Sequence, residues 1–370
     1  MLLKLRAMLI KELKQMLRDP KMRMVVLGVP MVQMFVMSFA LTLDVKNIDI
    51  GVLDMDKSKT TTELVSKLGS SDYFKITRYT NSFKDIHDML DKGEIRGAVI
   101  FQTDTEKKLL SNQKADIQII ADGTMSNDAG IIFSYMNTLL NEYNIERLYR
   151  LTGSDNMPVV FNNRNLFNQN LDSSLYYVPG LIVMMIMITS ILLTSIAIVR
   201  EKEIGTIEQV MVTPIGRLEF IIGKTVPFFI TGYATTALMF VIAFMVFDVV
   251  IKGSLILLGL IVGLNILAYL GLALLISASA YTQQQALLTA FFIMMPCALL
   301  SGFLFPIDNM PIIIQYLTVL DPMRWGFESI IGVVSKGAGV YELYQPLLWQ
   351  AGHAVFFIVL ASIRFKKTLE

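Results

Sequence analysis

The sequence predicts a polytopic α-helical membrane protein with six transmembrane helices plus an extracytoplasmic α/β domain. Three observations predict it. Of 370 residues, 54% are hydrophobic and only 17% are charged, against roughly 25% charged in an ordinary globular domain. Six windows, 24–43, 177–199, 225–247, 254–280, 286–305 and 346–363, contain no Asp, Glu, Lys or Arg and are long enough to cross a bilayer. Between the first two windows, 44–175 turns polar and mixed in charge, with enough length for a core of its own. A charge at mid-membrane costs about 2.5–3.5 kcal/mol on the insertion scale. Six charge-free windows are therefore hard to reconcile with a soluble chain.

The elements follow in order. Residues 1–23 place Leu2, Leu5, Leu9, Leu13 and Met16 on one stripe, with Lys4, Lys11, Lys14 and Arg18 largely elsewhere. That pattern predicts an amphipathic helix on the cytoplasmic membrane surface. The stretch lacks the short basic region running straight into an apolar core that marks a cleavable signal peptide. The first span is 24–43. In 44–175, "NIDIGVLDMD", "YFKITRY", "RGAVIF" and "ADIQIIAD" read as strands. "KTTTELVSKLG", "SFKDIHDMLDKGE" and a long stretch from about Asn127 to Tyr149 read as helices. The alternation predicts an α/β domain with mostly parallel pairing. Asp54, Asp56 and Asp122 fall at strand ends, where turn and cap roles are expected. His87, between Asp85 and Asp88, is expected on a solvated helix face.

Residues 176–370 carry the other five spans. Basic residues set the orientation. Seven precede the first span (Lys4, Arg6, Lys11, Lys14, Arg18, Lys21 and Arg23). Arg200, Lys202, Arg217 and Lys224 follow the second, and Arg364, Lys366 and Lys367 follow the last. With six spans all three groups share one side. Both termini are therefore expected in the cytoplasm and 44–175 outside. The segment 200–224 turns at Thr213-Pro214 and is longer than a linker requires, which predicts a cytoplasmic docking element. Within 306–345, "PIIIQYLTVL" and "FESIIGVV" are too short to span and predict short helices at the outer face. There Trp325 suits an interface, and Arg324 and Glu328 are spaced to pair.

Several functions are excluded by composition. The net charge is +1, so no nucleic-acid partner is expected. The single cysteine, Cys297, and two histidines, His87 and His353, supply neither a disulfide nor a metal set. No catalytic motif is present. "GKT" at 223–225 has Leu218 where a phosphate-binding loop needs glycine, so neither catalytic residues nor a cofactor are expected on this chain. Inside the spans the polar candidates for a pathway are Gln33, Thr235, Thr236 and Asn265, with hydrogen bonding between helices as the plainer role. Gly259 and Gly263 form a small-residue packing signal. The absence of charge within the spans argues against ion-coupled transport.

Two stretches carry a family resemblance across essentially the whole chain. "REKEIGTIEQVMVTPIGRLEFIIGK" resembles the cytoplasmic coupling segment of type-2 ATP-binding-cassette (ABC) exporter permeases, in the subgroup with a large external domain. Its matching positions are Glu201, Lys202, Glu203, Gly205, Thr206, Glu208, Thr213 and Pro214. "LLSGFLFPIDNMPIIIQYLTVLDPMRWGFESIIGVVSKG" resembles that family's segment before the last span, through Ser301, Gly302, Pro306, Met310, Pro311, Pro322, Arg324 and Trp325. The resemblance implies a bacterial inner-membrane permease that exports a substrate, with ATP and Mg bound on a separate ABC ATPase subunit. It implies a second permease copy or homologue, and an outer gate at Ser301, Gly302, Pro306, Pro322, Arg324 and Trp325. Apolar spans suit lipophilic or amphipathic cargo surrounded by membrane lipid, and the external domain could meet a periplasmic adaptor. The competing expectation is an ATP-independent receptor or assembly protein that displays the external domain. Such a protein has no need of so elaborate a 200–224 segment.

Overall fold

The structure is a computed structural model describing residues 9–10, 14, 18, 24, 28–41, 48–71, 73–111, 113–124, 126–152, 167–168, 172–205 and 217–364. Its contacts divide the chain into two units, Asp44–Asn163 and the combination of Met1–Leu43 with Arg164–Glu370.

The first of these is built on four strands, β1 (Ile48–Asp54), β2 (Phe74–Thr80), β3 (Gly97–Phe101) and β4 (Ile117–Ala121), in the order β2-β1-β3-β4. β1 pairs in parallel with β2 and β3, and β4 closes the edge antiparallel to β3. β1 and β3 are almost wholly buried, as strands covered on both faces must be. One face packs Ile50, Val52 and Val99 against Leu64 and Leu68 of helix Lys59–Gly69 and Ile132 and Met136 of helix Ser126–Thr152. The other packs Leu53, Ala98 and Ile100 around Ile86 of helix Phe83–Asp91. Asp54 acts as a turn residue. Its Oδ1 accepts from the amides of Asp56 and Lys57 at 3.0 and 2.9 Å, and its Oδ2 accepts from Thr61 Oγ1 at 2.7 Å. Asp56 Oδ2 accepts from the Glu106 amide at 3.0 Å, on a short helix, Thr105–Leu110, that the sequence patterns did not single out. Asp122 accepts from Thr124. His87 is exposed, and among the described residues no group of His, Cys, Asp and Glu could hold a metal.

The second unit is helical. We label its helices αA–αG here: αA Val29–Leu41, αB Ser174–Glu203, αC Arg217–Phe247, αD Leu255–Ser279, αE Gln283–Leu300, αF Pro322–Ile331 and αG Tyr344–Arg364. Two short helices, Ile307–Asn309 and Ile312–Thr318, precede αF, and a π turn, Gly332–Lys336, follows it. Among the described residues five helices are long and apolar enough to cross a membrane: αB, αC from Ile221, αD, αE and αG. αA has 13 helical residues, and the remainder of the 24–43 window is mostly outside the described residues.

αD is the central post. Its Ile261, Ile266, Tyr269, Leu270 and Ala273 are fully buried, as are Ile182, Ile191 and Ile198 of αB. Gly271 lets αG approach closely, since a Cβ there would lie 2.9 Å from the Ile358 nitrogen. The Gly259/Gly263 ledge receives Tyr233 of αC, whose hydroxyl donates to the Gly259 carbonyl at 2.5 Å. This is the close packing that small residues permit between spans.

Three local expectations are corrected. The apolar run ends at Val199, yet αB continues through Arg200–Glu203, where Glu201, Lys202 and Glu203 find the partners described below. αE begins at Gln283, capped by Thr282, and ends at Leu300, displaced from the expected 286–305 because Ser301–Gly302 turns the chain away. Arg324 forms no ion pair with Glu328. Its half-buried guanidinium turns back to Thr318 Oγ1 and the Gln315 carbonyl, while Glu328 is exposed.

Candidate functional site

The residues singled out at 200–205 form a clamp at one end of αB. Glu201 Oε1 lies 2.6 Å from Lys224 Nζ, with side chains 15% and 3% exposed respectively. Lys202 Nζ donates to the Ala280 carbonyl at 2.9 Å and sits 4.4 Å from the centre of the Tyr281 ring. Glu203 Oε2 accepts from Gln283 Nε2 at 2.8 Å and from the Gln283 amide at 3.3 Å. Three consecutive side chains thus fasten αB to the start of αC and to the αD–αE link. These charges are engaged within the chain, because the helix end brings Lys224, the Ala280 carbonyl and Gln283 into reach. Gly205 has φ +81 and its amide donates to the Lys202 carbonyl at 3.2 Å. It ends the helix in the left-handed conformation that glycine alone adopts without strain. Thr206, Glu208, Thr213 and Pro214 lie outside the described residues.

The other end of αB meets the expected gate. Tyr176 Oη donates to the Gly302 carbonyl at 3.0 Å, where Gly302 has φ +84. Ser301 Oγ donates to the Ala298 carbonyl at 2.8 Å and accepts from the Phe303 amide at 3.2 Å. The Phe303 ring lies directly on Gly180 and forms an aromatic cluster with Tyr176, Tyr177 and Phe327. Pro306 precedes the short helix Ile307–Asn309, Pro311 the next helix, and Pro322 occupies the first turn of αF. Gln315 Nε2 donates to the Met310 carbonyl at 2.9 Å.

Trp325 Nε1 donates to the Val319 carbonyl at 2.9 Å. Its ring stacks on Trp349 with centroids 5.5 Å apart and planes 9° apart, and Arg324 lies 4.6 Å from its centre on a neighbouring side. Gln350 of αG bridges the Trp325 carbonyl and Ser329 Oγ at 2.7 and 2.9 Å. Asp321, just before αF, carries a buried carboxyl that no sequence pattern singled out. Its side chain caps αF through the Met323 amide at 2.9 Å. Burial pushes its carboxyl up to about 7, against the opposing pull of the Met323 and Arg324 amides and the Arg324 guanidinium. An Asp immediately before Pro is a readable cap signal; its burial was not readable.

The pathway candidates lie on three helices, αA, αC and αD. Thr235 and Thr236 are buried and donate to the Thr231 and Gly232 carbonyls of their own helix. Thr235 also lines a narrow seam between αB and αC with Thr189, Ser190, Thr194 and Thr231. Asn265 is fully buried against the backbone of Gly326, donates to the Ile261 carbonyl at 3.3 Å, and leaves Oδ1 without a partner. Gln33 is half-buried on αA.

A bundle of long apolar helices, with a charged clamp at one end of its buried helix and a turn latched at the other, is the architecture of a helical membrane protein. The family described as ABC-2 family transporter protein matches residues 21–363, and the chain belongs to it. The chain is 33% identical over 341 residues to the "Probable multidrug ABC transporter permease YbhR" of Escherichia coli, covering 91% of this chain and 92% of that protein. It is 28% identical over 373 residues to "Probable multidrug ABC transporter permease YbhS" of the same organism, covering 99% and 98%. Similarity also extends, at 24% identity over 361 residues, to the "Inner membrane transport permease YhhJ" of Escherichia coli, covering 97% and 96%. The chain is thus a membrane permease subunit of an ABC exporter.

Proposed function

We propose that this permease crosses the inner membrane six times, with 24–43 as the first span, the Asp44–Asn163 unit outside and both termini in the cytoplasm. The segregation of Lys and Arg supports this arrangement. Segment 200–224 docks on a separate ABC ATPase subunit, which carries ATP and Mg, and two permease chains together enclose the pathway. The relatives' names, multidrug permease, support drugs as cargo, and the apolar spans suit lipophilic or amphipathic ones. An external adaptor remains a further partner to seek.

The observation that carries the coupling is αB. It is one helix of 30 residues, ~45 Å long at 1.5 Å per residue. Its charged end is fastened to αC and the αD–αE link, and its far end to the Gly302 turn. Movement imposed at the ATPase is delivered along this one helix to the outer turn, with Pro179 lying between the helix body and the Tyr176 latch. The clamp residues Glu201, Lys202 and Glu203 hold the segment rigid, leaving 206–216 to make the contact.

Gentle purification from the native membrane, with mass spectrometry of the bound chains and an ATPase assay, tests this. A stoichiometric ABC ATPase, with export lost on Gly205 substitution, is the expected result. A chain that purifies alone, without ATPase activity under several mild conditions, would favour an ATP-independent display protein instead.

A further inference from the structure

Asp321 is 5% exposed. One carboxyl oxygen caps αF, and the other, Oδ2, has no hydrogen-bond partner. Groups from several helices surround it. Tyr269 of αD is fully buried beside it and its hydroxyl also lacks a partner. Cys297 of αE brings its thiol against the carboxyl. Arg324, on αF itself, is held by Thr318 and Gln315 of the preceding helix and by the Trp325 ring. His353 of αG lies near the Leu320 backbone. αB presents no charged residue between Tyr177 and Arg200.

An ionised carboxylate with one oxygen unpaired in such a site is costly, whereas the neutral acid is not. The cap is kept in both forms, because the capping oxygen needs only a lone pair. We propose that Asp321 is a proton-binding site that sets the stance of the outer hairpin 306–336. It holds a proton while the hairpin is packed on Tyr269 and Cys297, and releases it when the hairpin lifts and water reaches the carboxyl.

Binding linkage makes the relation reciprocal. A carboxyl that titrates near pH 7 when packed and at its ordinary 3.8 when wetted favours the lifted form by about a hundredfold more at pH 9 than at pH 5. Acid holds the hairpin down and alkali loosens it. The inference concerns the hairpin alone and stands apart from the coupling assigned to 200–224.

The chain carries its own reporter, since its two tryptophans are the stacked Trp325–Trp349 pair. The test is intrinsic tryptophan fluorescence of the purified full chain in nanodiscs, with acrylamide quenching, from pH 5 to 9. The wild type should show a transition centred near pH 7, with quenching rising toward alkali, and D321N should be flat. His353 lies 6.1 Å from Trp349 and can itself quench when protonated, so H353Q is the control and should keep the transition. A wild type without a transition, a D321N that titrates like it, or a transition lost in H353Q would each overturn the proposal. Should D321N fail to accumulate, Y269F decides. The midpoint moves if the carboxyl beside that hydroxyl is titrating, and an unmoved midpoint refutes the assignment.

Discussion

Replacing Lys224 by methionine tests the clamp most directly. The ammonium is 3% exposed and sits 2.6 Å from the Glu201 carboxylate. Removing one partner of a buried pair costs about 3–5 kcal/mol, because the other charge is left stranded. Glu201 is at a helix end and 15% exposed, so it regains some water and the lower figure, about 3 kcal/mol, applies. At roughly 2–4 °C per kcal/mol for a unit of this size, Lys224→Met should melt roughly 6–12 °C below wild type. Both side chains make additional contacts, so the double variant Glu201→Gln/Lys224→Met isolates the pair. With no charge stranded, it should recover most of the loss. The assay is thermal unfolding of the detergent-purified chain at one fixed scan rate, since membrane proteins seldom unfold reversibly. Single variants that melt within 2 °C of wild type, or a double variant as low as the sum of the singles, would refute a buried, energetically coupled pair.

Other expectations are smaller in scale. Gly205→Val places a β-branched side chain at φ +81, costing about 1–2 kcal/mol at that residue. Export should fall while membrane insertion, followed by protease accessibility, stays normal. Gly263→Ala would force Tyr233 off its ledge and break its bond to the Gly259 carbonyl, lowering stability by about 1–3 kcal/mol, read as an earlier melting transition. Gln350→Leu removes both donors to Trp325 and Ser329 and should cost about 1–3 kcal/mol, with a shift in tryptophan emission. Asp321 sets the sign of one pH effect. Its folded value of about 7 lies above the ordinary 3.8, so the unfolded chain sheds the proton first as pH rises. Stability from this group is fully present below pH 4, declines toward pH 7 and is then level. The melting temperature of wild type relative to Asp321→Asn should therefore fall between pH 5 and 7.

The spans after the first were legible because the absence of charge is a one-dimensional property, as at 254–280. The strands were legible because β3 is apolar over its full length and β1 sets Ile48, Ile50, Val52 and Leu53 before the Asp54 turn. Partners across sequence were not. Nothing near Glu201 indicates that Lys224 would be desolvated beside it; that depends on αB and αC meeting side by side. Asp321 was overlooked for a related reason. It stands outside every apolar window, and only the folding of a short helical hairpin against αD and αE buries it. The threonines of αC were expected to bond between helices. A hydroxyl can also satisfy itself on the carbonyl one turn back, and sequence does not distinguish the two.

The division of the helical unit has a consequence for biogenesis. αA packs Met34 into the same core as Val178 and Ile182 of αB, yet Asp44–Asn163 is interposed between them. At about 5–20 residues per second of synthesis, those ~120 residues delay the arrival of αB by roughly 6–24 s. During that interval αA presents Met34 and Ser38, both fully buried in the finished fold, with no later helix of its own chain to cover them. The interposed unit, with its local βα contacts, has time to fold first. The first segment must therefore be kept by lipid or by the insertion machinery until its partner emerges. Lengthening the interposed unit would prolong that exposure, and the vulnerable species would be a nascent chain, before any transport cycle begins.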